Sequence, residues 1–468
     1  MPLRFLRALS ICLLANLGLS GVLYSQQQPQ LRIYLPNIAN EDWRFLADTD
    51  LRNDFWDPVK YIPLGREDWS IGFSGEIRIR PEGFRVRGTS GNPDIRDNYL
   101  LQRYLFGVDL RMGKRFRFFA EMQSGVINGK LNSPRPTDKD LLSFHQGFFE
   151  YKSPKEKDRS FRLRLGRQEL SIGSSRLIAA AQGLNVKRSF DGVSLSYAVR
   201  NWVAQLGLAR LVKLAPGVFD DPPDSAQEFW GVALSRRSFP LKSSAAGVYY
   251  LGIDRRLSEY TQGLGPERRH TIGVKLKGAR NRLDFSYDFI FQWGRFQTAG
   301  IRSWALATDT GYRLGSGRWQ PRLGLSVNTS TGDRDPADNH LESFNPLFPG
   351  NSYSGLVGLF GPTNLTDLTP SFRLPIRPNL FFAVESPFYF RRSVNDGIYS
   401  IDLRLLLDGT HSAEKYVGAN PGVVVIWQAT HHINLTGAIT RFFSGGFLAG
   451  TFVENGFGFY SAAFTYRF

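Results

Sequence analysis

Cysteine, methionine and long apolar runs are scarce in this chain of 468 residues, which has one cysteine and three methionines. A single cysteine excludes an intramolecular disulfide and any cysteine-rich zinc or iron–sulfur site. Mean hydropathy is −0.25 and no long apolar run follows the N-terminal segment, so a bundle of membrane-spanning helices is excluded. A hydrophobic content of 42% also excludes disorder as a description of the whole chain.

Glycine, aromatic residues and positive charge are abundant instead. The chain has 47 glycines, 37 phenylalanines and a formal net charge of +16. Single barrel domains commonly exceed the usual domain length of about 100–200 residues, so this length is compatible with one large domain. We find no sign of a second globular domain.

Residues 1–25 have the order of a secretory signal peptide. Arg4 and Arg7 form a basic start, the apolar stretch Ala8–Leu23 follows, and Ser25 is one candidate cleavage position. A membrane anchor is the alternative, but the apolar stretch is short and interrupted by glycine. Cys12 lies inside this stretch instead of at its end, so we expect no lipid anchor.

After residue 69, apolar and polar residues alternate with a period of two. In Ser70–Arg80, Tyr99–Arg111 and Asn281–Trp293, one face is apolar and the other is mostly polar or charged. The same pattern recurs in further segments: Val193–Val199, Thr271–Lys277, Trp319–Asn328, Tyr399–Leu407, Ile433–Ile439 and the closing Gly458–Phe468. The pattern predicts an all-β protein.

The segments have about 9–12 residues, the length with which a tilted strand crosses a bilayer. Strands of a soluble β-sandwich are shorter, at about 5–6 residues, and their inner faces rarely collect charged residues. We therefore predict a transmembrane antiparallel β-barrel of about 18 strands over residues 69–468, with lipid outside and a polar lumen. The strand assignment is ambiguous around Thr363–Phe390. Residues 26–68 are interpreted as an N-terminal lead-in that forms a plug, a first strand or a loose segment.

The polar strand faces carry more arginine and lysine than aspartate and glutamate. Alternation alone assigns Arg103, Arg322 and Arg404 to the lumen. A pore with excess arginine and lysine favours anions, whereas the alternative role of these arginines is to stiffen the wall by pairing with acidic neighbours.

Motifs of catalysis are missing from the sequence. We find no G-x-S-x-G nucleophile elbow, no H-E-x-x-H zinc motif and no phosphate-binding loop. We therefore expect a protein that is not an enzyme and has no metal or other cofactor. A cation bound by the acidic loop Asp333–Asp338 with Glu342 is the alternative to a solvated loop, although this loop lacks the spacing of an EF-hand. An outer-membrane enzyme or adhesin is the weakest hypothesis, because no group of residues supports it.

Several segments in order resemble the alginate export family of outer-membrane porins. They are Leu163–Leu177 (LRLGRQELSIGSSRL), Gly183–Gly192 (GLNVKRSFDG), Phe219-Asp220-Asp221, Glu267–Gly273 (ERRHTIG), Gly332-Asp333, Phe344–Pro349 (FNPLFP), Asn364-Leu365 and Tyr466-Arg467-Phe468. The resemblance implies an 18-stranded monomeric barrel in the bacterial outer membrane whose basic lumen exports alginate or a similar anionic polysaccharide.

Within the similar segments, Arg167, Arg176, Arg188 and Asp191 are candidates for a constriction that contacts the substrate, together with the three arginines assigned by alternation. We expect an anion-selective channel that works with periplasmic export and synthesis machinery and binds no nucleic acid. A general diffusion porin for the uptake of small anionic solutes, such as sugar acids, is the alternative.

Overall fold

The computed structural model describes residues 32–88, 94–153, 158–317, 319–350 and 358–468, so the predicted signal peptide lies outside the described residues. Its main feature is a closed antiparallel barrel of 18 strands. The strands are β1 Trp69–Val86, β2 Ile95–Met112, β3 Phe116–Asn128, β4 Asp140–Lys152, β5 Arg159–Gln168, β6 Phe190–Val199, β7 Trp202–Leu211, β8 Gln227–Arg237, β9 Ser244–Tyr260, β10 Gly263–Arg280, β11 Leu283–Phe296, β12 Ala299–Arg313, β13 Arg322–Ser330, β14 Leu365–Arg377, β15 Leu380–Glu385 with Phe388–Arg391, β16 Tyr416–Ala419 with Gly422–Gln428, β17 Ile433–Ser444 and β18 Phe457–Arg467.

The first and last strands close the barrel. β1 pairs with β18 from Glu76 opposite Arg467 to Val86 opposite Phe457. Closure pairs the backbone groups that an open sheet would leave exposed at its edges. The predicted fold class is confirmed. Among the described residues, no helix is both long and apolar enough to cross a membrane.

The alternation of side chains follows the prediction on most strands. On β11, Phe289 is 51% exposed on the outside, whereas its neighbour Asp288 is 1% exposed on the inside. Successive side chains of a strand point to opposite faces, so the apolar residues cover the barrel and the polar residues face its lumen. Unbroken strands have between 9 and 18 residues, so several are longer than a bilayer crossing requires.

Two neighbouring strands are interrupted at the same level by proline. β15 is broken at Ser386-Pro387 and β16 at Asn420-Pro421. Proline has no N–H to donate to the strand ladder, but the Asn420 N–H still donates to the Pro387 carbonyl at 2.9 Å. The break at Ser386-Pro387 lies within Thr363–Phe390 and explains the ambiguous strand assignment of that segment.

The prediction of a barrel strand over Tyr399–Leu407 is wrong. This segment is a hairpin of Ile398–Tyr399 and Leu405–Leu407, and it forms a separate two-stranded sheet. The chain reverses because Leu403 adopts a positive φ of 63° and its N–H donates to the Ser400 carbonyl at 3.0 Å. A period of two cannot reveal such a reversal, because both arms of a hairpin alternate.

The connections differ between the two ends of the barrel. Turns such as 200–201, 281–282 and 378–379 are short and lie at the end that holds the C-terminus, here called the short-turn end. Most connections at the opposite end, the long-loop end, are longer. Two of them fold into the lumen and matter for function: the first loop, residues 169–189, and the second loop, whose described residues are 331–350 and 358–364.

The described part of the lead-in forms a plug at the short-turn end. It contains three 3₁₀ turns, the helix Asp57–Lys60 and the strand Ile62–Pro63, which pairs with β1. Ile38 packs among buried residues of β2, β3 and β4, and Arg117 donates to the Ala39 carbonyl at 2.7 Å.

The lumen is not polar throughout. Towards the long-loop end, wall residues such as Phe84, Leu101 and Phe459 pack against loop residues Phe360 and Phe447 in one buried apolar cluster. The inward-folded loops bring apolar side chains of their own, and burying these requires an apolar wall.

The side-chain orientation predicts unequal effects of arginine at two nearby positions of β11. Phe289→Arg places a charge on the apolar outer face and should destabilise the barrel by about 2–4 kcal/mol if the position lies near the bilayer midplane. Ser286→Arg should cost less, because Ser286 faces the lumen opposite Lys277 and Asp309. Urea unfolding of both variants in lipid vesicles measures the difference. Equal destabilisation, or the reverse order, would contradict the assigned orientation.

Candidate functional site

Three arginines of β1 and β2 hold the first loop by its backbone. Arg103 donates to the carbonyls of Gln182 and Leu184 at 3.0 and 2.8 Å. Arg78 reaches the Leu184 carbonyl at 2.6 Å, and Arg80 reaches that of Gly183 at 2.8 Å. All three arginines are at most 3% exposed. Most of their donors are directed at protein carbonyls or at neighbouring carboxylates, so this part of the wall is a clamp on the loop and not an open basic surface.

Asn185 and Lys187 extend this attachment. The Asn185 amide nitrogen donates to the carbonyls of Gln102, Val126 and Asp138 at 2.9–3.2 Å. The buried Lys187 ammonium lies 2.5 Å from Glu169 and 3.2 Å from the Pro36 carbonyl of the plug. Although burial opposes ionisation of Glu169, the pKa of this carboxyl falls to about 2, and the main cause is Lys187. The first loop is therefore tied both to the wall and to the plug.

The two inward-folded loops pair with each other. The Ala179 N–H donates to the Phe348 carbonyl at 3.0 Å, and the Phe348 N–H donates to the Leu177 carbonyl at 2.8 Å. Arg188 donates to the Pro349 carbonyl at 3.0 Å and to that of Ala179 at 3.2 Å. Arg188 thus fastens one loop to the other.

The second loop is anchored on β10 and β11. Asn345 donates from its amide nitrogen to Glu267 at 3.1 Å, and its backbone exchanges hydrogen bonds with Gln292 at 2.7 and 3.0 Å. Arg269 pairs with Glu267 and also donates to the Ser343 carbonyl at 3.1 Å. Glu267, Arg269 and Asn345 all lie within segments that resemble the alginate export family, which was the only sequence signal for this anchor.

A third loop, residues 392–415, is organised around the buried carboxylate of Asp396. That carboxylate accepts hydrogen bonds from Ser343 Oγ and the Tyr399 hydroxyl, both at 2.6 Å, and from the Asp333 N–H at 2.9 Å. Asp396 therefore joins the second and third loops. Arg404 lies on this loop, 44% exposed and 2.8 Å from Asp402, and not on the barrel wall where alternation placed it.

The basic vestibule is the charged part of the lumen that lies towards the short-turn end. It consists of five cations and three carboxylates on β10 to β14: Lys275, Lys277, Arg313, Arg322, Arg373, Asp284, Asp288 and Asp309. Within the described part of the chain, no carboxylate lies within 4 Å of Lys275, Lys277 or Arg373, so their charges are not cancelled by direct pairing.

Arg322 lies in the vestibule but is paired. It contacts Asp284 at 2.7 Å and Asp309 at 2.6 Å. Its side chain lies flat across two glycines, whose lack of a side chain leaves room for it. A Cβ at Gly311 would be 2.0 Å from the guanidinium carbon of Arg322, and a Cβ at Gly324 would be 2.4 Å from its Nη1. Arg176 reaches from the first loop towards the same wall, where its Nη1 lies 3.4 Å from Asn328 Oδ1.

Arg167 and Asp191 lie away from the lumen. They form an ion pair at 2.8 Å on β5 and β6. By strand alternation their side chains point to the same, outer face as those of Leu165 and Tyr197, which are 44% and 38% exposed. Arg167 also donates to the Asp221 carbonyl at 3.0 Å. The pair joins neighbouring strands to an outer loop, so these two candidates do not line the lumen.

No group of three or more histidine, cysteine, aspartate or glutamate residues with the geometry of a metal site occurs in the described ranges.

Comparison with known proteins identifies the family. The alginate export family model matches residues 69–457. The chain belongs to the alginate export family. A comparison with curated proteins finds no match.

Solved outer-membrane channels share the fold. OccAB1 of Acinetobacter baumannii is 12% identical, with a TM-score of 0.56 over 85% of this chain and 96% of its own. OccK2 (OpdF) of Pseudomonas aeruginosa in complex with glucuronate is 10% identical, with a TM-score of 0.55 over 84% and 97%. OpdO of the same species is 12% identical, with a TM-score of 0.55 over 85% and 97%.

The family and the fold are those of channels of the bacterial outer membrane, not of enzymes. In such barrels the short turns face the periplasm and the long loops face outward. The basic vestibule therefore opens towards the periplasm, and the inward-folded loops enter from the outside.

A titration in the second loop follows from its anchoring. Burial, followed by the charge of Asp396, raises the pKa of Asp333 to about 7. In the closed loop, Asp333 therefore keeps its proton up to about pH 7. In an opened loop, where an aspartate has a pKa of about 3.9, Asp333 loses this proton at lower pH. The free energy of opening should be largest below about pH 4 and should fall as the pH rises to about 7.

Hydrogen exchange of residues 331–345 between pH 5 and 8, corrected for intrinsic rates, measures this dependence. Protection should fall with pH in the wild type and should change little in Asp333→Asn, which keeps the shape but cannot ionise. The same pH dependence in both proteins would show that another group is responsible.

Proposed function

We propose that this channel prefers anions and exports an acidic polysaccharide of the alginate type. The observation that carries the proposal is the set of directly unpaired cations Lys275, Lys277 and Arg373 in the vestibule. A charge inside a confined pore attracts counter-ions more strongly than the same charge on an open surface, because less water and salt screen it. A polymer that arrives from the periplasm meets these cations first.

A polyuronate carries one carboxylate on each sugar, so several residues of one chain can contact the vestibule at once. Multiple weak contacts give useful attraction without holding any single sugar tightly, which conduction requires. The chain encodes no recognisable energy source. Transport then follows a gradient or the push of a growing polymer, supplied by periplasmic synthesis machinery, and the closed barrel acts as a monomer.

Uptake of small uronic acids is a second candidate, and two observations favour it. The first and second loops pair across the lumen, which opposes passage of a wide chain. One structural relative was solved with glucuronate bound. Both candidates share a sugar carboxylate as the chemical group that the vestibule attracts.

The vestibule predicts a selectivity change. In a salt gradient across a planar bilayer, the wild type should show a reversal potential that favours anions. Replacing Lys275, Lys277 and Arg373 by glutamine removes three positive charges and should lower the anion-to-cation permeability ratio several-fold. A channel in which Lys114, Lys213 and Lys242 are replaced by glutamine is the matched control, because these three exposed lysines lie in turns and loops.

A cation-selective wild type would contradict the proposal, as would equal shifts in the test and control channels. Proteoliposome flux then separates the two candidate functions. Polymer export requires release of a polyuronate longer than ten sugars, whereas passage of glucuronate alone supports small-solute uptake.

A further inference from the structure

We propose that Arg78, Arg80 and Arg103 are the positioning residues of a cross-bar formed by the paired loops, and that their hold on this cross-bar determines how wide a solute the channel passes. The cross-bar is defined as residues 175–185 of the first loop and residues 345–350 of the second loop. It is distinct from the basic vestibule, which lies nearer the periplasm. Its role does not depend on the proposed anion preference.

One end of the cross-bar is fixed to β1 and β2. Three guanidinium groups donate to the consecutive carbonyls of residues 182–184, and Glu76 compensates the charge of Arg103, whose Nε lies 2.8 Å from its carboxylate. Separating a buried charge from its partners is strongly unfavourable, so these arginines resist any outward movement of the loop.

The other end is fixed to the far side of the lumen. The second loop is held through Asn345 by Glu267 and Gln292 on β10 and β11, about half of the barrel circumference away from β1 in strand order. Between the two ends, backbone hydrogen bonds join segment 175–179 to segment 348–350. Side chains of the cross-bar, including Ile178 and Phe348, are buried against the wall of β6 to β12.

This arrangement separates size selection from charge selection. The three clamping arginines face protein carbonyls and the buried carboxylates of Glu76 and Glu82, so these groups offset their contribution to the field in the pore. The position of the bar, in contrast, determines how wide a solute can pass beside it. Weakening the clamp should therefore widen the channel while leaving the anion-to-cation ratio nearly unchanged.

The test compares Arg103→Gln with Lys277→Gln. Liposome swelling with neutral saccharides of increasing length measures the size limit, and the reversal potential measures selectivity. Arg103→Gln should admit tri- and tetrasaccharides at least twofold faster than the wild type, with a change of less than 1.5-fold in the permeability ratio. Lys277→Gln should change the ratio and leave swelling unaltered.

A disulfide lock makes the test independent of a folding defect. A Cβ at Gly125 would lie 2.7 Å from Val186 Cγ2, which is close to the ~3 Å between Cβ and the partner sulfur in a disulfide. The chain's one cysteine, Cys12, lies in the predicted signal peptide, so the engineered pair Gly125→Cys with Val186→Cys has no competing thiol after cleavage.

In the Arg103→Gln background, the oxidised pair should restore the wild-type size limit, and reduction should widen the channel again. This reversibility within one folded protein distinguishes a repositioned bar from a damaged barrel. If Arg103→Gln fails to assemble, Asn185→Ala replaces it in the same design. Swelling rates that do not depend on the clamp variant, or a widening that the disulfide does not reverse, would overturn the proposal.

Discussion

The buried carboxylate of Glu76 lies where the first strand of the barrel meets the last. It accepts from Arg467 of β18 and from Arg103 of β2, in both cases at 2.8 Å. The first contact joins the two strands that close the barrel, and the second orients the arginine that holds the first loop. Without Glu76, two arginines would be left without their main counter-charge inside the wall, which is strongly unfavourable. Closure of the barrel and placement of the loop therefore depend on the same group.

The lumen charges fall into two classes with different consequences. Arginines near the loops donate to backbone carbonyls or pair with carboxylates, so they hold the structure in place and contribute little to the field that a solute meets. Lys275, Lys277 and Arg373 have no carboxylate within 4 Å among the described residues, and they lie on the periplasmic side. Burial explains why the arginines near the loops are compensated, because a charge taken out of water must be paired or hydrogen-bonded within the protein.

The strands could be predicted from the sequence, but the partners of the arginines could not. Alternation correctly oriented Phe289 and Asp288, because a strand has only two faces. It failed at Tyr399–Leu407, where a turn reverses the chain without disturbing the period. Alternation assigned Arg103 to the lumen, but its contacts with Gln182 and Leu184 come from a loop about 80 residues away in sequence. Strand patterns contain no information on such contacts.

The ionic-strength dependence of the wild-type reversal potential tests the central claim most directly. The screening length falls from about 30 Å at 0.01 M salt to about 3 Å at 1 M. If the vestibule cations select the solute, a fixed tenfold gradient should give strong anion preference at low mean salt, and this preference should decline steadily as salt increases. A preference for cations, or an anion preference that does not change with ionic strength, would contradict the account.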